Sequence, residues 1–172
     1  MKKALLVLVA LAALAGGVFT QRWLHAVAVP DNASSELDIA FPDLGGKPHF
    51  LNEWKGKVLI VNFWASWCAP CMEEMPEFFM LQNELRPKGV QFIGILVDDE
   101  VDVAQEFLKA MAVNYPILNG NIGGRQLASQ LGNKAEVLPY TVVYDTAGQR
   151  VHTEIGRFTR DEVLERVKPL LK

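Results

Sequence analysis

Cysteine is almost missing from this chain: its 172 residues include two, together with three histidines. Two cysteines cannot form the multiple-disulfide framework of small secreted domains, and a chain of this length buries a core without one. They need another explanation. An excess of basic residues is also lacking, with 17 Lys and Arg against 20 Asp and Glu. Phosphate recognition calls for a clustered basic surface, so nucleic-acid binding is set aside. No internal repeat and no low-complexity segment occurs, and the length corresponds to about one domain.

Charge is absent altogether from Ala4 to Gln21, and Ala4 to Ala15 is a single apolar run, preceded by Lys2 and Lys3 and followed by Arg22. Eighteen residues of helix rise about 27 Å, close to the bilayer core, whereas cleaved signal sequences have apolar regions of about 7 to 15 residues. Residues 1–22 therefore read as a signal anchor, with residues 4–21 in the inner membrane. A cleaved signal peptide stays open, because Ala26-Val27-Ala28 has the small-x-small pattern of a cleavage site. Either way the two lysines keep the N-terminus cytoplasmic and the rest is exported to the periplasm. Without Lys2, Lys3 and Arg22, 14 basic groups face 20 acidic ones, so the exported part carries −6. Residues 23–36, WLHAVAVPDNASSE, lose periodicity and read as a linker, which leaves 37–172 as the folded domain.

Within that domain, Phe41 to Leu44 and Lys47 to Leu51 flank Gly45-Gly46 as two short extended pieces. Val58 to Trp64, VLIVNFW, is a continuous β-branched and aromatic run that suits a central strand covered on both faces. Helical spacing of Met75, Phe78, Phe79, Gln82 and Leu85 predicts a helix from about Cys68 to Leu85, kinked at Pro76. Val90 to Val97 predicts a second buried strand, and Val103, Ala104, Phe107, Leu108 and Met111 one face of a second helix. Residues 113–138 are too long for a bare loop, and Arg125 to Leu131 reads as a short helix within them. Tyr140 to Tyr144 and Arg150 to Ile155 read as a hairpin around Asp145 to Gly148. A last helix starts at Thr159, whose spacing to Glu162 matches a capping box, and buries Val163, Leu164, Val167, Leu170 and Leu171.

Both cysteines fall in Trp67-Cys68-Ala69-Pro70-Cys71, where the strongest strand gives way to a helix. A helix N-terminus presents unpaired N–H groups and the positive end of the macrodipole, which stabilise a thiolate and lower its pKa. Cys68 is then the nucleophile toward a substrate disulfide, and Cys71, one turn further in, resolves the mixed disulfide. A zinc site would need more ligands, and His25, His49 and His152 show no ligand spacing with the pair. Haem attachment requires histidine where Met72 stands. A structural disulfide closing so short a loop gains the least in the chain-entropy account.

Lys57 to Cys71, KVLIVNFWASWCAPC, resembles the active-site segment of the thioredoxin superfamily, most closely its exported or membrane-anchored TlpA/ResA/CcmG-like branch. The resemblance covers roughly residues 37–172, including PDLGGKPHFLNEWKGK, which is similar to the N-terminal hairpin of that branch. It implies an α/β thioredoxin fold: a central mixed β-sheet flanked by helices, with an N-terminal β-hairpin and an insertion before the cis-proline strand. It implies further that Pro139 is the cis-proline facing the cysteines, with the backbone of Leu138 free to pair with a substrate strand. Glu74 matches an active-site glutamate of ResA-like members. At i, i+3 from Cys71 it could take and return that thiol's proton. Glu73 and Glu77 read as complements to the helix N-terminus. Asn62 replaces the buried aspartate of cytoplasmic thioredoxin, which strengthens the assignment to Glu74. Trp67 reads as a surface contact for substrates and Trp64 as core, while Tyr140 and Val137 depart from the pattern of cytochrome-maturation members.

No histidine separates the cysteines, and three nearby glutamates disfavour the Cys68 thiolate, so a reductant is expected. The function expected is reduction of disulfides in exported envelope proteins, with cytochrome c maturation among the roles the resemblance implies. Electrons would come from a membrane donor of thiol reducing equivalents. The reading needs no cofactor and no metal, and a monomer is expected. The alternative is a thioredoxin-like copper chaperone, since two soft thiolates suit Cu(I). Such proteins separate their cysteines by three residues and place histidine before the hairpin's first strand; here the spacer is two and His152 is in the second. A peroxidase would want threonine where Ala65 stands.

Overall fold

A computed structural model describes residues 36–171. The anchor and most of the linker expected from the sequence lie outside these residues. Chain order runs β1 (Ala40–Pro42), β2 (Pro48–Phe50), β3 (Val58–Trp64), α1 (Ala69–Leu85), β4 (Val90–Leu96), α2 (Val101–Met111), β5 (Ile117–Asn119), α3 (Gly124–Gln130), β6 (Tyr140–Tyr144), β7 (Arg150–Ile155) and α4 (Arg160–Val167). The first two strands form an antiparallel hairpin, and the other five a mixed sheet in the order β5-β4-β3-β6-β7. Parallel pairing of β3 with β4 and of β4 with β5 requires crossovers, which α1 and α2 supply. The hairpin β6–β7 adds antiparallel to β3.

Every residue of β3, β4 and β6 is buried, as expected of strands covered on both faces. Alternation along β3 divides the core in two. Val58, Ile60 and Trp64 join the cluster that packs α1 and α4, while Leu59, Val61 and Phe63 join the cluster under the hairpin and α3. Asn62 has the parity of Ile60 and Trp64, so a polar side chain is placed in the layer beneath α1. Its partner in register on β6 is Thr141.

Most expected elements occur where the sequence placed them, and three expectations change. Residues 113–138 hold β5 as well as the short helix, a strand of three residues that periodicity cannot register. On α2 only Ala104 is fully buried; Val103 is exposed, because the helix lays a narrow stripe of Val101, Ala104, Phe107 and Leu108 on the core. On α1 the buried stripe includes Leu81 and Glu74, and Phe79 lies at its margin. That helix continues through Pro76 to Leu85. Thr159 caps α4 as expected, its N–H donating to Glu162 Oε2 at 2.8 Å. Among the described residues no helix is long and apolar enough to cross a membrane.

The corner between β5 and α3 depends on Gly120. Its N–H donates to the Leu96 carbonyl at 2.8 Å and its carbonyl accepts from Gly124 N at 2.8 Å. A Cβ there would lie 2.4 Å from Ile95 Cγ2 and 2.8 Å from the Leu96 oxygen, and backbone cannot yield as a side-chain tip can. Gly120→Ala is expected to destabilise the fold by about 1 to 3 kcal/mol, read as a lower urea midpoint. An unchanged midpoint would show that this close approach is not required.

Candidate active site

Cys68 is the N-cap of α1, with extended backbone, and Pro70 lies in the first turn, where its missing N–H costs nothing. The two cysteines are joined as a disulfide, with Cα atoms 5.3 Å apart. Cys71 N–H points at Cys68 Sγ, 3.3 Å away, so the sulfur takes the role a capping oxygen usually plays. A thiolate at Cys68 would receive the same donor and the same helix end. Exposure separates the two sulfurs' residues: Cys68 retains 5 % and Cys71 none. An incoming group can therefore reach the first cysteine and not the second.

Loop 97–99 braces the segment ahead of the cysteines. Trp67, 60 % exposed, donates its Nε1–H to the carbonyl of Asp98 at 2.9 Å, and Ser66 N–H donates to the Asp99 carboxylate. Asn121 in turn accepts from Asp99 N–H and donates to its carbonyl. Trp64 is fully buried, as expected. Arg125 reaches Asp98 at 2.6 Å and Glu136 at 3.2 Å, linking this loop to the one before β6.

The Leu138–Pro139 peptide bond is cis. Because Phe63 pairs with Tyr140, Pro139 falls at the end of β3 from which the chain leaves toward Cys68. Asn133 clips the preceding turn, accepting from Val137 N–H at 3.0 Å and donating to the Val137 carbonyl at 2.8 Å. The Pro139 carbonyl accepts from Gly156 N–H. Among the described residues no hydrogen bond engages the backbone of Leu138.

Glu74 is on the inner face of α1 with no exposed surface. Its Oε1 accepts from Asn62 Nδ2 at 2.7 Å and its Oε2 from Phe158 N–H at 2.9 Å. Burial raises its pKa to about 7, while those two hydrogen bonds and the charge of Arg157 pull the other way. A carboxyl balanced there can accept or release a proton near neutral pH. Glu73 and Glu77 do something other than complement the helix end. Arg157 pairs with both, at 3.4 and 2.7 Å, and Glu77 also accepts from Arg160 N–H at 2.6 Å. These contacts join residues more than 75 positions apart, and no local sequence signal announces them. His152 is occupied too, hydrogen-bonded to Glu154 at 3.1 Å and packed on Phe158. Among the described residues no group of three or more His, Cys, Asp and Glu side chains could hold a metal ion.

A sheet of this order, with a helix-capping cysteine, a second cysteine one turn inward and a cis-proline at the same sheet end, defines a thiol-disulfide oxidoreductase on the thioredoxin fold. A sequence model of the Redoxin family matches residues 27–168. "Thiol-disulfide oxidoreductase ResA" of Geobacillus kaustophilus is 30% identical over 169 residues, 95% of this chain and 93% of that protein. "Thiol:disulfide interchange protein HelX" of Rhodobacter capsulatus is 35% identical over 116 residues, 67% of this chain and 62% of its own length. Among solved structures, a secreted thiol-disulfide isomerase from Corynebacterium glutamicum superposes with a TM-score of 0.71 at 30% identity, covering 77% of this chain and 83% of that one. The chain belongs to the Redoxin family.

Glu74 carries a consequence for stability. The folded protein retains its proton up to about pH 7, whereas an unfolded chain releases it near 4.5. The folded state thus binds more protons between those values, and stability falls as pH rises through them, by an amount on the order of 3 kcal/mol. Urea unfolding of the oxidised protein is expected to show this decline between pH 5 and pH 8, and Glu74→Gln to flatten it. Equal pH slopes in the two proteins would contradict the raised pKa.

Proposed function

We propose that the chain reduces disulfides in exported proteins, with Cys68 as nucleophile, Cys71 as resolving thiol and Glu74 as proton acceptor. The observation that carries this is the unequal setting of the two cysteines: one caps a helix at the surface, the other is sealed beside a buried carboxyl at neutral balance. In the reduced protein the Cys68 thiolate attacks one sulfur of a substrate disulfide. That S–S bond breaks, and the other substrate sulfur leaves as a thiolate and takes a proton from water. Cys71 then gives its proton to Glu74, and its thiolate attacks Cys68 Sγ. The mixed disulfide breaks, the second substrate sulfur leaves, and the substrate has gained two electrons while Cys68–Cys71 has become a disulfide. A dithiol donor reverses these exchanges to regenerate the pair.

The docking surface follows from the same geometry. Trp67 offers an exposed aromatic face beside Cys68, and the Leu138 backbone ahead of Pro139 offers an unpaired donor and acceptor to an extended substrate segment. Relatives named as thiol-disulfide oxidoreductases, and a structural neighbour named as secreted, support an exported location. With residues 4–21 as anchor, the domain would work at the periplasmic face of the inner membrane and take electrons from a membrane donor of thiol reducing equivalents. Cytochrome c maturation is one such setting. The monomer is sufficient for this chemistry.

The direction of electron flow rests on what surrounds Cys68. Arg157 neutralises Glu73 and Glu77, so those two carboxylates contribute less than the sequence suggested. What remains is Ala69-Pro70, which brings no cation to the thiolate, and the charge of Glu74. A less stabilised thiolate makes a less oxidising couple, and the potential is expected well below the about −120 mV of strong periplasmic oxidants. A value near −120 mV would reverse the assignment. Replacing Cys71 by Ser leaves Cys68 able to attack and unable to be released, so the variant is expected to accumulate mixed disulfides with exported proteins. If none form while the native pair stays oxidised in cells, a structural disulfide is the better reading.

A further inference from the structure

A cluster of three polar side chains is buried in the layer between the sheet and the first half of α1. Asn62 on β3 is 1% exposed, and Thr141 beside it on β6 and Glu74 above it are fully buried. Asn62 Nδ2 donates to Glu74 Oε1 at 2.7 Å and to Thr141 Oγ1 at 3.0 Å, while Asn62 Oδ1 is buried with no partner. An amide carries two donor hydrogens and an acceptor oxygen. Here both donors are used and the acceptor is idle, in surroundings where an unpaired polar atom is costly.

The imbalance matches one charge state of Glu74. A carboxylate only accepts, and both of its oxygens face donors, Asn62 Nδ2 and Phe158 N–H. A carboxylic acid has a hydrogen of its own, which would be directed at one of those donors. Phe158 N–H is fixed backbone and cannot change role. The Asn62 amide can, because its terminal torsion is roughly two-fold and exchanging oxygen for nitrogen leaves its shape nearly unchanged. After a half-turn, Oδ1 would accept from the Glu74 acid and from the Thr141 hydroxyl, which serves equally as donor or acceptor.

We propose that Asn62 is a positioning residue that follows the proton on Glu74, donating to the carboxylate and turning over to accept from the acid, with Thr141 reversing its own role in step. The inference rests on reading Glu74 as the proton acceptor of Cys71, and adds the group that lets a buried carboxyl hold that proton. The charged and titratable groups around Glu74 come from several elements. Cys68, Cys71, Glu73 and Glu77 are on the same helix or its cap, Arg157 precedes α4, and Tyr115 precedes β5 with its hydroxyl buried and its pKa raised by burial. Arg157 and the Phe158 N–H favour the carboxylate, and Glu77 and burial favour the acid. With the cysteines joined as a disulfide, none of these exchanges a hydrogen-bonding role as Glu74 titrates, whereas Asn62 and Thr141 can.

The test is an NMR titration of the oxidised full-length chain in detergent between pH 5 and 9. The side-chain amide signals of Asn62 are expected to shift with the midpoint of the Glu74 carboxyl carbon, and to stay flat in Glu74→Gln. In Asn62→Ala the donor to the charged form and the acceptor for the acid are lost together, so the Glu74 midpoint is expected to move by less than about one pH unit. A flat Asn62 amide in the native chain while Glu74 titrates would overturn the proposal, and that measurement needs no variant to fold. So would a rise of more than about one unit in Asn62→Ala, the mark of an amide that serves the carboxylate alone. Failure of the underlying reading has a separate signature: resolution of the mixed disulfide unchanged in Glu74→Gln, whatever the amide does.

Discussion

A carboxyl group with no exposed surface must be hydrogen-bonded wherever it is charged, and the arrangement around Glu74 follows from that requirement. Its two oxygens are satisfied from two directions, by a side chain of the central strand and by the backbone of the loop entering the last helix. Asn62 is 12 positions from Glu74 and Phe158 is 84, and their contact ties α1 to both the sheet and the start of α4. Arg157 strengthens the same junction from outside by bridging Glu73 and Glu77. The residue that joins the first helix to the sheet and to the start of α4 is thus also the proposed proton acceptor.

The cysteines take their difference from the same helix. At its cap, Cys68 keeps the small accessible surface that Cys71 lacks and faces the donors of the first turn. One turn on, Cys71 is enclosed with the inward-facing side chains, Glu74 among them. A single α-helical turn therefore separates a sulfur suited to attack from one suited to wait. The cis Leu138–Pro139 bond and the exposed Trp67 border the surface from which a substrate would approach. The loop holding Asp98 and Asp99 keeps the segment before Cys68 in register with that surface.

Much of this was legible in the residues themselves. VLIVNFW could hardly be anything but a buried strand, and Trp-Cys-Ala-Pro-Cys at its end located the redox pair. The hairpin β6–β7 and the cap at Thr159 were visible because turn and capping signals are local. What escaped was either too short or too distant. Ile117 to Asn119 is a strand only because β4 is beside it, and Val103 is exposed only because of how α2 is seated. At Glu74 the spacing from Cys71 was readable, whereas the Phe158 N–H and the Arg157 charge that set its proton affinity lie 84 and 83 positions away. The mistaken role for Glu73 and Glu77 has the same origin, since their arginine cannot be located without the fold.

The proposed chemistry turns on Glu74 taking the proton of Cys71. The measurement that reaches this directly is the rate at which a preformed mixed disulfide at Cys68 resolves, followed by stopped flow from pH 5.5 to 9 in the native chain and in Glu74→Gln. Ionisation of Glu74 should make the native rate rise with a midpoint near 7, while in the variant the rise moves up to the range of an unassisted thiol, about 8.5 or above. Superimposable profiles in the two proteins would contradict the assignment.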